Sequence, residues 1–181
     1  MAGSGILKSY VRADAKLKES GYLKFYLNLI DDFTTLQEPA ALDVDSVTGD
    51  KFIITDAHVW TAGKTPMSFY IDPKKLTAPG ETVGAKGSLS MNYTITVFAV
   101  GDGPVIQDLF ESIKNEDCVG FTTDECPTSE ILQYGCDCQP LNMVKGSFQP
   151  GTLEGTDAKG WTFQMETRSR FFYRGGSLTA R

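Results

Sequence analysis

From Ser88 onward the chain alternates polar and apolar residues without a break. Leu89, Met91, Tyr93, Ile95, Val97 and Ala99 fall on one side, and Ser88, Ser90, Asn92, Thr94 and Thr96 on the other. Successive side chains of a strand point to opposite faces, so this period predicts a long half-buried strand. At Gly101-Asp102-Gly103 the period changes. Pro104 has the fixed φ and the missing N–H that suit the first position of a helix. Val105, Ile106, Leu109, Phe110 and Ile113 then recur at spacings of one, three and four, which predicts a helix over 103–115. Isolated helices this short are marginal in water, so its apolar stripe requires a sheet face beneath it.

The same periodicity places further strands on either side. Leu23, Phe25, Leu27 and Leu29 alternate with Tyr22, Lys24, Tyr26 and Asn28. The run KFIITDAHVW, 51–60, is apolar on both faces and predicts a central or interfacial strand. MSFYID follows as another strand, closed by Pro73, and 73–87 reads as a long, flexible, polar projecting loop rich in Gly, Pro and Lys. Segment 118–138 has short β-like pieces, and LNMVKGSF and WTFQMETRSRFFYR form a closing pair of strands around a Gly-rich turn. Residues 31–50 show no period and read as irregular, while 1–20 forms an N-terminal arm. Strands dominate, so the expected fold is mainly β: a single-domain antiparallel β-sandwich or barrel with one flanking helix and an extended arm.

Charge adds an asymmetry to this picture. The net charge of −6 is unevenly spread. Residues 1–24 carry Lys8, Arg12, Lys16, Lys18 and Lys24 against Asp14 and Glu19, and 141–181 have a like surplus of bases. The span 25–140 is therefore strongly acidic, at −12. Basic ends flanking an acidic middle allow complementary contacts between copies of one chain, and a solvated surface accounts for the same charges without a partner. At 181 residues the chain is long enough to bury a substantial core. No apolar run has the roughly 18 residues of a membrane span, and the first residues lack a secretory pattern, so synthesis in the cytoplasm is expected.

Candidate chemistry is sparse. Cys118, Cys126, Cys136 and Cys138 lie within 21 positions, and the rest of the chain has no cysteine. Three readings are open: free thiols with a packing role, one or two disulfides, or a zinc shell, although the C-x7-C-x9-C-x-C spacing lacks the usual knuckle. His58, the single histidine, would have to serve any Ser-His-Asp or Cys-His catalytic set, but its strand neighbours point to a structural role. Asp31, Asp32, Asp43 and Asp45 sit in a loop where carboxylates are ordinarily solvated. Arg168, Arg170 and Arg174 share one strand face and suit an edge guard, inter-subunit ion pairs or phosphate contact. No phosphate-binding loop or dinucleotide fingerprint is present. An enzyme is not expected, nor a cofactor.

In the order of its elements the chain resembles the tail tube proteins of tailed bacteriophages and related injection machines. The resemblance is carried by SLSMNYTITVFA leading into PVIQDLFESIKN and by the closing hairpin LNMVKGSFQPGTLEGTDAKGWTFQMETRS. The tip TAPGETVGAKG resembles the loop by which one ring grips the next. The cysteine cluster and the long N-terminal segment depart from the family pattern. Membership would imply a virion protein that forms stacked rings, commonly hexameric, contacts other tail proteins, and passes DNA without binding it specifically or touching a membrane. On this reading we expect Lys74, Lys75, Leu76 and Pro79, with the basic arm, at stacking contacts, Arg168, Arg170 and Arg174 at inter-subunit contacts, and Trp60, Trp161 and the helix stripe in the core. The rival readings are a β-rich cytoplasmic binding module with a metal- or disulfide-pinned cysteine loop, and a head–tail connector or terminator ring.

Overall fold

In a computed structural model the described residues are 23–39, 50–101, 103–123, 131–151, 159–176 and 178. The N-terminal arm, Cys126, Asp43 and Asp45 lie outside them. Among the described residues twelve strands and one α-helix follow in order: β1 Leu23–Leu29, β2 Phe33–Thr35, β3 Ile53–Ile54, β4 Val59–Trp60, β5 Ser68–Ile71, β6 Gly80–Val83, β7 Ser90–Val100, α1 Pro104–Ile113, β8 Cys118–Thr123, β9 Ile131–Tyr134, β10 Asn142–Gln149, β11 Gly160–Thr167 and β12 Arg170–Tyr173. The fold is mainly β with one helix, as the alternating pattern requires.

One ten-stranded sheet carries the order β10-β11-β7-β5-β1-β8-β9-β12-β3, with β6 added to β7. Every pairing is antiparallel except that of β12 with β3. The edge of β8 that faces away from β1 is shared. Gly120 to Thr123 pair with β9, whereas Cys118 exchanges two backbone bonds with Leu141, just before β10, at 3.2 and 2.8 Å. Leu141 immediately precedes β10, so that single bridge curls β10, β11, β7, β5, β1 and β8 round into a six-stranded barrel, with the rest of β10 left as an edge.

The β1–β8 ladder separates two cores. On one face Phe25, Leu27 and Cys118 join Phe69, Ile71, Ile95, Val97, Phe163 and Met165, and the buried helix stripe Ile106, Leu109 and Ile113 enters the same cluster. On the other face Val119 and Phe121 pack with Phe33, Ile54, Tyr173 and Leu178, and Trp60 lies partly buried against them. A two-stranded sheet, β2 with β4, covers this second core, with the Phe33 and Trp60 rings 4.2 Å apart. Gly146 of β10 makes room for the helix, because a Cβ there would lie 2.0 Å from the Phe110 ring.

Three expectations are corrected. The run 51–60 is not one central strand: β3 ends the large sheet and β4 belongs to the small one, parted by Thr55-Asp56-Ala57-His58, which lie in no strand. The closing strand is two, broken at Arg168. Ser169 N–H donates to the Thr167 hydroxyl, and both hydroxyls donate to the Gln139 carbonyl, turning the chain from the barrel toward β9. The segment 73–87 is not a loose loop either. Asp72 N–H bonds Phe98 O, Thr77 and Thr96 exchange both bonds, Thr94 N–H bonds Pro79 O, and β6 continues the pairing to Val83. A flat polar stretch with few side chains to bury is held here by backbone bonds to a strand longer than its core.

Candidate functional site

The most exposed structured feature is the β6–β7 hairpin. Residues 79–89 are all exposed, yet Gly80 to Val83 are paired residue for residue with Tyr93 to Ser90. The apolar side of β7 is buried only at Ile95, Val97 and Ala99. Toward its start the same row continues past the core through Met91 to Leu89, which are 38% and 60% exposed, and Val83 is 38% exposed on β6. The turn needs Gly84: its φ is +114°, and a Cβ would lie 2.5 Å from Ser88 O. The hairpin thus presents apolar side chains on a defined β scaffold.

At the opposite end of the barrel, Val100 of β7 lies beside Gly160 of β11 and Gly160 beside Gln149 of β10. Near that end Val105 and Phe148 are 44% and 42% exposed. Phe148 lies 5.2 Å from the half-buried Trp161, whose other neighbour is the Phe110 ring at 5.3 Å. The barrel therefore carries exposed apolar side chains at both ends. Its β10 edge is guarded: a bulge between Met143 and Lys145 pushes out Val144, 57% exposed, and Lys145 and the following Pro150 discourage pairing.

The residues singled out in the sequence scatter around this frame. Lys74 is exposed, and its backbone N–H bonds the Asp72 carboxylate. Lys75 places its ammonium 4.0 Å from the Phe98 ring centre, and Leu76 packs on the first core, so both are engaged within the protomer. Pro79 is exposed at the root of the hairpin. Arg168 is exposed beside Glu166, Arg170 lies against the Phe172 ring, and Arg174 donates its backbone N–H to Ile54 O. The bend at 168 sets these arginines apart from one another along two strands. Trp60 and Trp161 are partly buried rather than central.

Cys118, Cys136 and Cys138 are free thiols. Cys118 and Cys136 are buried and Cys138 is exposed, and among the described residues no three His, Cys, Asp or Glu side chains converge as a metal shell would require. Burial, with Asp117, Glu116 and Asp32 nearby, pushes the Cys118 thiol up to about 12, and burial raises Cys136. Both shifts disfavour the thiolate, which is the nucleophilic form.

His58 is buried in the second core, stacked on Tyr173 at 4.4 Å. Its Nδ1 accepts the Gln37 N–H at 3.0 Å, which leaves Nε2 to donate to Gln133 Oε1 at 2.9 Å, and Gln133 is itself fixed by donating to Gly135 O. Burial lowers its pKa to about 4, against a smaller raising effect of Gln133. The ring is a neutral packing element. Of the carboxylates, Asp32 is buried under Lys64, whose ammonium is 2.6 Å away. Asp31 instead lines a cleft of about 200 Å³ with Glu116, Asp117 and Asp137.

Val105, expected in the buried helix stripe, is instead exposed, and the exposed Val83, Val144 and Phe148 were not singled out for a surface role by sequence. The available signal was length: an alternating run from 88 to 99 is longer than a small barrel can cover, so one end of its apolar row has to emerge. Comparison of the chain with protein-family models, curated proteins and solved structures finds no match.

Proposed function

We propose that this chain is a self-assembling structural protein of the tail tube type, whose copies stack end to end into a conduit for DNA. The observation that carries this reading is the β6–β7 hairpin, which runs beyond the barrel core with Val83, Leu89 and Met91 exposed. A four-residue strand with no core of its own gains most from its apolar side chains when a second surface covers them. The matching surface on the next copy is the Val105 and Phe148 end of the barrel. A contact between unlike ends repeats without closing, which is the geometry of rings stacked into a filament. The acidic span 25–140, with Asp31, Glu116, Asp117 and Asp137 gathered on one surface, suits a passage that repels phosphate rather than holding it.

Electron microscopy and sedimentation of the purified protein test the reading. Rings or tubes are expected for the natural chain, and their loss is expected in the Leu89→Ser, Met91→Ser double variant. Both residues are exposed, so folding stability should change by no more than about 0.5 kcal/mol each. A natural chain that stays monomeric at high concentration would overturn the proposal. Rings that never stack would favour a connector or terminator ring instead.

A further inference from the structure

Where β11 leaves the barrel a cleft of about 470 Å³ opens on the outer side of the sheet. Glu166, near the end of β11, and Arg168, at the bend that follows it, both line it. They do not pair with each other. Among the described residues Glu166 has only a 3.5 Å contact from the Asn92 amide, and Arg168 has no partner. Opposite charges that share a cleft and leave each other unpaired offer one anionic and one cationic contact to a single small molecule.

The walls of the cleft are fixed in advance. Cys136 and Gln139 exchange both backbone bonds across a tight turn, and the Thr167 and Ser169 hydroxyls hold that turn through the Gln139 carbonyl. On the other side the β10 bulge sets Val144 outward, facing a cleft also lined by Pro140 and Asn142. Ligand sites are usually preformed in this way, with a few polar groups that orient and an apolar wall that adds contact.

We propose that this cleft binds a free α-amino acid, with the ammonium on Glu166, the carboxylate on Arg168 and the side chain against Val144 and Pro140. The two charges of an α-amino acid sit on adjacent carbons. With a hydrogen bond of roughly 2.8 Å at each end they can bridge an anionic and a cationic side chain that line one cleft without pairing. A single-charge ligand would use only half of the site. This assignment is independent of the assembly reading and stands or falls separately.

Cys138 lines the same cleft and is exposed, which supplies a probe. The protein is treated with iodoacetamide in the presence of each of the nineteen common α-amino acids that carry no thiol in turn, and alkylation of the Cys138 peptide is followed by mass spectrometry. At least one amino acid is expected to slow labelling, and its N-acetyl and methyl ester derivatives to protect about tenfold less well, since each cap removes one charge-assisted bond. Glu166→Gln and Arg168→Gln should each weaken protection about tenfold at an unchanged unfolding midpoint. If either variant loses stability, the capped compounds on the natural protein decide. Protection by none of the nineteen, or equal protection by capped and free forms, would overturn the proposal.

Discussion

At the scale of single residues the second core is where charge is most tightly constrained. His58 is neutral because Gln37 N–H points at Nδ1, and an added proton there would set two donors against each other among Tyr173, Phe33 and Phe121. Its folded pKa, about 4, lies below its ordinary 6.5. The unfolded chain therefore takes up a proton before the folded one does, so stability is complete above pH 6.5 and falls as the pH drops toward 4. At 1.36 kcal/mol per pH unit the loss is about 2 kcal/mol between pH 6.5 and 5. Urea unfolding midpoints at several pH values should show this slope in the natural protein and lose most of it in His58→Gln. Lys64 is the second such residue. Its ammonium neutralises Asp32, which is only 1% exposed, so Lys64→Ala strands a buried carboxylate. With Lys64 itself about one-third exposed, the expected cost is about 2 kcal/mol rather than the larger value for a fully buried pair.

Elements differ in how plainly the sequence announces them, and the difference is physical. β7 and α1 were legible because each has a period long enough to repeat several times, and β1 followed from a shorter version of the same signal, whereas β8 and β9 lay in a segment read only as short β-like pieces. The run 51–60 misled because it is apolar on both sides for another reason. Ile54 belongs to the second core from one sheet and Trp60 from the other, so two short strands mimic one long one. The partner of α1 was hidden as well, since it depends on an absence. Gly146 has no side chain, and Phe110 occupies that space while stacking on Trp161 and Phe163. Gly146→Ala places a Cβ 2.0 Å from a ring with packed neighbours on its other faces, so the helix must shift outward. A loss of about 1–3 kcal/mol is expected, read as a lower thermal midpoint. The exposed Ser147→Ala beside it should be nearly silent.

For the molecule as a whole, the decisive contact is one that no local pattern encodes. The barrel closes only where Cys118 meets Leu141, and the bridge joins residues whose neighbours belong to other pairings. Sequence periodicity specifies which face of a strand is apolar but not which strand lies beside it, so closure, the forked edge of β8 and the placement of β12 had to come from the fold. Gly120 shows how tightly the seam is packed, since a Cβ there would lie 2.8 Å from Leu141 and 2.9 Å from Phe25. The thiol of Cys118 sits at this seam, buried and held protonated by a pKa of about 12. It can react only when the barrel opens. Under native conditions near pH 8, iodoacetamide should therefore label Cys138 readily and Cys118 hardly at all. Adding urea below the unfolding midpoint should then raise Cys118 labelling with the denaturant dependence of global unfolding, because separating β8 from Leu141 exposes the first core at once. A weak denaturant dependence would show instead that the seam opens locally, leaving the remaining strands as an open sheet around the helix.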